Sequence, residues 1–233
     1  TLPVCIDQIE NQTGRIRNFE NAAGGEGVHS GIFFDDSDVY KALEGMAYSL
    51  QIEPDPALEA KCNEWVDKFC AAQQTDGYIN TYYTLTGLEN RWSDMDKHEM
   101  YCAGHMIEAG VAYYNVTGKR KLLDVCIRMA DHMMTVFGPG KRHWVPGHEE
   151  IELALVKLYK TTGEKKYLDF ASYIVSQLND TKDGARLIDL AMEGVAVGDR
   201  PKEGDVWWGW LNGRKAYEMM SCYQGLLEYY LVK

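Results

Sequence analysis

Apolar side chains recur at every third or fourth position along most of the chain, which is the spacing of amphipathic α-helices. The pattern predicts helices over 38–52, 56–74, 99–117, 119–136, 149–162, 164–178 and 215–232. No segment is convincing as a strand of a buried core. The sequence therefore predicts an all-α protein.

A helix–turn–helix unit occurs in two clear copies, over 113–124 and 158–169. In each copy a Thr-Gly pair ends the first helix, and Gly118 and Gly163 suit the left-handed position that follows a helix. Weaker copies around Tyr48 and Tyr230 bring the total to about three and a half hairpins. Such hairpins build an open solenoid or a closed α/α ring, and the unequal unit lengths and long loops favour a ring around a pocket.

The loops between the hairpins are rich in aromatic residues, which are good platforms for the faces of sugars. The first loop includes Tyr82, and a later one has three tryptophans, with Trp208 at its centre. We take Tyr82 and Trp208 as candidate substrate-binding residues. The alternative is that these rings only fix a long loop to the body of the protein.

Polar residues lie near the amino ends of the predicted first helices, where unpaired backbone N–H groups favour anions and hydroxyl oxygens. Asp38 is the candidate ligand-binding residue in the first unit, and His148 precedes the helix of the third. Both also have simpler interpretations, since Asp38 resembles an ordinary helix cap and His148 could cap its own helix.

Histidine gives the sharpest signal. His98, Cys102 and His105 fall on one helical face at a spacing that could hold zinc. The residues after His105 are apolar, as in a protein core, so a sugar-binding histidine at the start of the helix is the better interpretation. His98 is the more exposed candidate.

Composition and charge exclude several classes of protein. The 233 residues include 35 acidic and 24 basic side chains, giving a net charge of −11, which argues against nucleic acid or an anionic membrane as the partner. No stretch approaches the roughly 18 apolar residues of a membrane span. Six cysteines without a C-x-x-C pair exclude a zinc ribbon and a disulfide scaffold. Because the chain starts at Thr1 and ends within a helical pattern, we expect a segment of a longer protein.

Four strings carry a resemblance to a known family: residues 36–41, 73–78, 98–105 and 147–155. Together they resemble glycoside hydrolase family 127, the β-L-arabinofuranosidase family, from about Gly14 to Gln177 and less clearly over 217–230. The resemblance implies an (α/α)6 barrel followed by β-sandwich domains. Residues 1–233 would then be a single segment of the barrel, with about three and a half of its six hairpins.

The resemblance also implies a retaining, zinc-dependent mechanism with a zinc-bound cysteine as nucleophile and a glutamate as acid/base. The family's zinc ligands are a glutamate and three cysteines, two of them adjacent. This sequence has no adjacent cysteines, so nucleophile, acid/base and zinc ligands are expected beyond the segment, and residues 1–233 alone should be inactive. The sugar-contacting histidines of the family correspond here to His98 and His148.

The resulting hypothesis is a periplasmic or secreted enzyme, of undefined oligomeric state, that releases β-L-arabinofuranose or a related sugar from plant-type glycans. Two other enzyme classes use α/α barrels, the unsaturated glucuronyl hydrolases and the sugar 2-epimerases. The first would need an acid/base carboxylate such as Asp38. A third possibility is a non-catalytic scaffold that binds a glycan or a protein.

Overall fold

A computed structural model describes residues 1–143, 148, 150–178, 187–196, 199 and 216–233. The described part is helical, with α-helices that we number α1 (Leu2–Asp7), α2 (Arg15–Gly24), α3 (Asp36–Ile52), α4 (Pro56–Ala72), α5 (Thr81–Thr86), α6 (Glu99–Thr117), α7 (Lys121–Val136), α8 (Ile151–Thr162), α9 (Lys165–Gln177), α10 (Leu187–Met192) and α11 (Ala216–Val232). A π-helical turn, Gln8–Gln12, follows α1, and short 3-10 turns cover Leu88–Asn90 and Met95–Lys97. An isolated bridge between Phe137 and Arg142 is the one β-type pairing among these residues.

The helices form hairpins in two layers, as the repeat predicts. Helices α3, α6, α8 and α11 pack side by side in one layer, while α2, α4 and α7 follow one another in a second. The hairpin partners α3–α4, α6–α7 and α8–α9 connect the layers. The amino ends of α3, α6 and α8 therefore belong to one layer, and the residues just before them are candidates for a common site.

Helix α6 lies at the centre of this arrangement. Every residue from Glu99 to Tyr113 is buried, because α3, α7 and α8 cover it on different sides. Its buried positions include the polar residues Glu99, His105 and Glu108, whose charges or dipoles must be compensated by neighbouring side chains.

The all-α prediction is confirmed, and the predicted helix bounds agree with the structure to within about two residues, the usual uncertainty at helix ends. Gly118 and Gly163 end α6 and α8 with φ of 71° and 74°, in the left-handed conformation that the Thr-Gly turns predict. Helix α4 starts as the sequence suggests, with Pro56 in its first turn and the Asp55 carboxylate accepting the N–H groups of residues 57 and 58.

The short helices α1, α2, α5 and α10 are absent from the sequence prediction. Each spans too few turns to show a clear apolar stripe. Helix α2 depends on glycine for both ends, since Gly14 and Gly25 each have a φ of 69°.

The six cysteines form no disulfide bond. Four are buried: Cys62, Cys102, Cys126 and Cys222. Burial raises the pKa of the Cys62 thiol to about 12, so this side chain acts as a small apolar residue at neutral pH.

None of the helices in the described ranges has the length and hydropathy to cross a membrane.

Candidate functional site

Four side chains from three hairpins meet where α6, α8 and α11 begin. We call His98, Tyr101, His148 and Tyr217 the rim cluster. The centroid of the His148 ring lies 4.4 Å from that of Tyr101, 5.8 Å from that of His98 and 4.9 Å from that of Tyr217. The fold thus brings together the two histidines that the sequence selects, although 50 residues of chain separate them.

His98 is held by the aromatic segment that leads into α3. Its imidazole stacks on Phe34 with a centroid distance of 5.3 Å, and Phe33 meets it edge-on at 5.8 Å. The backbone of His98 has a φ of 58°, and its carbonyl accepts the N–H of Cys102 in the first turn of α6. The ring is therefore fixed from both the backbone and the side chain.

A lysine that sequence reasoning missed joins the rim cluster. The Lys41 ammonium donates a hydrogen bond to the Tyr101 hydroxyl, and its Nζ lies 3.5 Å from the Ser37 hydroxyl. Burial lowers the pKa of Lys41, although nearby carboxylates such as Asp38 oppose this effect. Lys41 ends the first family-like string, and Tyr101 stands one turn after His98, so both lay within motifs that the sequence offered.

Behind the rim cluster lies a buried group of ionisable side chains. His105 Nδ1 is 3.5 Å from Glu108 Oε2 and 3.5 Å from Glu150 Oε1. The other oxygens of the two carboxylates are occupied: the Lys157 ammonium donates to Glu108 Oε1, and the Ser221 hydroxyl donates to Glu150 Oε2 over 2.7 Å. Helices α6, α8 and α11 are therefore connected through polar contacts in the protein interior.

The two carboxylates of this group differ in their affinity for protons. Burial and the neighbouring Glu108 carboxylate raise the pKa of Glu150. Burial also acts on Glu108, but its contacts with His105, Glu150 and Lys157 outweigh it and lower the pKa of Glu108. Glu150 therefore holds its proton more tightly than Glu108, which pairs with Lys157.

The zinc interpretation of His98, Cys102 and His105 does not match the geometry. Within the described ranges, the metal-capable group of three or more side chains is His105, Glu108 and Glu150, whose ligand atoms lie within 4.8 Å of one another. Cys102 instead turns its thiol to the Phe34 carbonyl, at 3.6 Å. The Lys157 ammonium pairs with Glu108 in this group.

The cysteines also do not fit the zinc centre that the resemblance implies. None of the six belongs to a cluster of metal-capable side chains in the described ranges. These residues therefore do not form a site of one glutamate and three cysteines.

The remaining predicted site residues have different placements. Tyr82 meets His29 edge-on at 5.3 Å and Phe33 at 6.2 Å, so it extends the aromatic wall next to His98. The Asp38 carboxylate pairs with Arg15 at 3.2 Å and lines a cavity of about 710 Å³ between α1 and α3. Trp208 lies outside the described residues.

Comparison with known proteins gives a consistent result. The family described as "Beta-L-arabinofuranosidase, GH127 catalytic domain" matches residues 1–186. A non-reducing end β-L-arabinofuranosidase of Bifidobacterium longum subsp. longum is 45% identical over 183 residues, which are 74% of this chain and 28% of that protein.

Two solved structures resemble the chain. A GH127 β-L-arabinofuranosidase from Geobacillus stearothermophilus T6 has a TM-score of 0.83 and 34% identity, over 97% of this chain and 38% of that one. The GH127 β-arabinofuranosidase BT3674 has a TM-score of 0.72 and 40% identity, over 78% of this chain and 31% of that one. The chain thus spans between about a quarter and two fifths of the length of these relatives.

Proposed function

The chain belongs to the GH127 β-L-arabinofuranosidase catalytic-domain family, as its motifs predict, and from this premise we propose that the whole protein is a glycosidase that releases β-L-arabinofuranose from a glycan. In this proposal the rim cluster is the part of the sugar-binding pocket that residues 1–233 supply. The observation that carries the proposal is the meeting of His98 and His148, with centroids 5.8 Å apart, at the amino ends of two neighbouring helices.

The chemistry of the rim cluster suits a furanose ring. Imidazole and phenol groups donate and accept hydrogen bonds, which matches the hydroxyl groups of a sugar. The faces of Phe33, Phe34 and Tyr82 provide apolar surface for its C–H groups. Half-buried Lys41 adds a cation that orients the Tyr101 hydroxyl.

The bond-breaking groups are proposed to come from outside this segment. A zinc-bound thiolate would supply the nucleophile, because zinc keeps a thiol ionised at neutral pH. The residues described here bind and orient the sugar and exclude water from its buried side. Residues 1–233 alone should consequently bind arabinose weakly and hydrolyse nothing.

The test is release of L-arabinose from a β-L-arabinofuranoside by the protein that contains this segment together with the rest of its barrel, with zinc present and thiols reduced. We expect His98→Ala and His148→Ala each to lower kcat/KM by about 10²-fold, since both histidines touch the sugar in this proposal. His143→Ala is the matched control, because His143 is an exposed histidine outside the rim cluster.

No release from any L-arabinofuranoside would refute the specificity. Hydrolysis of an unsaturated glucuronide that disappears in Asp38→Asn would instead favour the glucuronyl hydrolase alternative. Sugar binding without turnover of any substrate would favour a scaffold.

A further inference from the structure

Two residues hold an unusual backbone conformation at the ends of one segment. Trp92 and His98, with φ of 61° and 58°, are the non-glycine residues in the described ranges that have positive φ. They bound the stretch that leads into α6. A side chain at positive φ is strained, so the conformation persists where surrounding contacts hold it.

Glu99 makes the contacts that connect the two ends of this segment. It follows His98 directly, and its carboxylate is buried, with 3% of the residue exposed. Glu99 Oε2 accepts the backbone N–H of Trp92 at 2.7 Å, and Oε1 accepts the Tyr78 hydroxyl at 2.5 Å. One carboxylate thus closes the segment 92–98 into a loop and attaches it to the turn before α5.

The far end of the loop is anchored independently. The Trp92 indole N–H donates to His132 Nε2 at 3.2 Å, and the two rings are nearly parallel. Tyr78 and Phe137 meet the same indole edge-on at 5.5 and 5.2 Å. Trp92 is therefore held against α7 through His132. Its backbone N–H in turn binds Glu99, the residue that follows His98.

We propose that Glu99 is a positioning residue for His98: by accepting the Trp92 N–H and the Tyr78 hydroxyl, it holds the segment 92–98 so that the His98 imidazole stays stacked on Phe34 and faces His148. This inference rests on the proposed function, in which His98 contacts the sugar. Glu99 itself lies in the interior and does not touch the substrate. Its effect should therefore fall on sugar binding rather than on bond breaking.

Two variants of Glu99 separate its contacts. Glu99→Ala removes both acceptors, whereas Glu99→Gln keeps one carbonyl oxygen for the Trp92 N–H and places an amide beside Tyr78. Glu10→Gln is the control: the Glu10 carboxylate accepts the indole N–H of Trp65 at 2.8 Å and pairs with Lys61 at 2.9 Å, but it lies in the π-helical turn away from the rim cluster.

The experiment measures kcat, KM and the inhibition constant of L-arabinose for the full-length protein and each variant. We expect Glu99→Ala to raise KM and the inhibition constant about 10-fold or more, with a smaller change in kcat. The values for Glu99→Gln should fall between those of Glu99→Ala and the wild type. For Glu10→Gln, KM and the inhibition constant should stay within about twofold of the wild type. Unchanged KM and inhibition constant in Glu99→Ala would overturn the proposal. Equal losses in Glu10→Gln would also overturn it, since they would indicate general destabilisation.

Two readouts are independent of the enzyme's substrate. Hydrogen exchange should show the Trp92 amide and the segment 92–98 losing protection in Glu99→Ala and not in Glu10→Gln. A crystal structure of Glu99→Ala should show the His98 ring displaced from Phe34, and a ring that stays in place would contradict the proposal. If the wild type releases no arabinose, the proposed function fails, while these two measurements still decide whether Glu99 positions His98.

Discussion

Glu152→Gln should raise the free energy of unfolding above that of the wild type at alkaline pH. This difference between variant and wild type should be about 3 kcal/mol larger at alkaline pH than at acid pH. Glu152 lies in the first turn of α8 and is completely buried. No described residue donates a well-formed hydrogen bond to either carboxylate oxygen, and α11 packs its Gly225 directly against the side chain. A charge in this position is costly because little replaces the water that the carboxylate loses.

The magnitude follows from proton affinity. Burial raises the pKa of Glu152 from 4.5 to about 7, the nearby Glu108 carboxylate adds to the rise, and the backbone amides of residues 150 and 152 only partly oppose it. The folded state therefore keeps this proton to a higher pH than the unfolded state does. Stability from this group is full below pH 4.5, falls as the pH rises towards 7 and is then lost by about 3 kcal/mol, at 1.36 kcal/mol for each tenfold change in proton affinity.

Urea unfolding of the wild type and Glu152→Gln, followed by tryptophan fluorescence from pH 4 to 8.5, measures the effect. The difference in unfolding free energy should rise by about 3 kcal/mol across this range and become constant above about pH 7. Glu26→Gln, on the exposed surface, controls for removing one negative charge and should change stability by less than about 0.5 kcal/mol. A difference that does not vary with pH would refute the reasoning, because it would mean that hydrogen-bond donors compensate the ionised carboxylate in the folded protein.

Two further predictions concern α11. Gly225→Ala should destabilise the protein by about 1–3 kcal/mol in urea unfolding, because its Cβ would lie 2.6–3.0 Å from the Cγ, Oε1 and Cδ atoms of Glu152. Shortening the Glu152 side chain in the same protein should recover most of this loss. An unchanged loss would contradict the steric explanation. Residues 1–233 by themselves should self-associate and bind the dye ANS through the exposed apolar face of α11, which includes Met220, Leu227 and Leu231. Light scattering should show less association in the double variant Leu227→Glu/Leu231→Lys. A monomer that binds no dye would refute this expectation.

Periodicity was sufficient to predict most of the long helices because they bury one continuous stripe, whereas α6 is buried on all sides. Helix α7 shows why, since Leu122, Leu123, Cys126, Met129 and Met133 recur at helical spacing and are all buried. The pattern was uninformative for α2 and α5: α2 lies between two left-handed glycines and packs on α4, and α5 packs on α2. Gly14 and the Asn80 cap at the start of α5 are local signals that could have located both.

The site was only partly predictable from sequence for a different reason. His98 and His148 stand at the starts of predicted helices, so their placement follows from the hairpin order. The contacts that fix them join distant parts of the chain, as in Tyr78 with Glu99 and Ser221 with Glu150. No local pattern specifies such a pair, because each partner alone resembles an ordinary polar residue.

Helix α6 connects the stability of the interior with the position of the rim cluster. A helix buried on all sides is most stable when its side chains are apolar, and replacing buried ion pairs by apolar residues is often neutral or stabilising. Yet α6 places Glu99, His105 and Glu108 in its buried stretch, each against a partner from another element. The partners lie in the turn before α5, at the start of α8 and within α8. These polar contacts therefore fix the orientation of α6 relative to that turn and to α8. His98 and Tyr101 lie at the start of the same helix. The buried polar contacts that fix the orientation of α6 therefore also fix the position of the rim cluster, although they lower stability relative to an apolar interior.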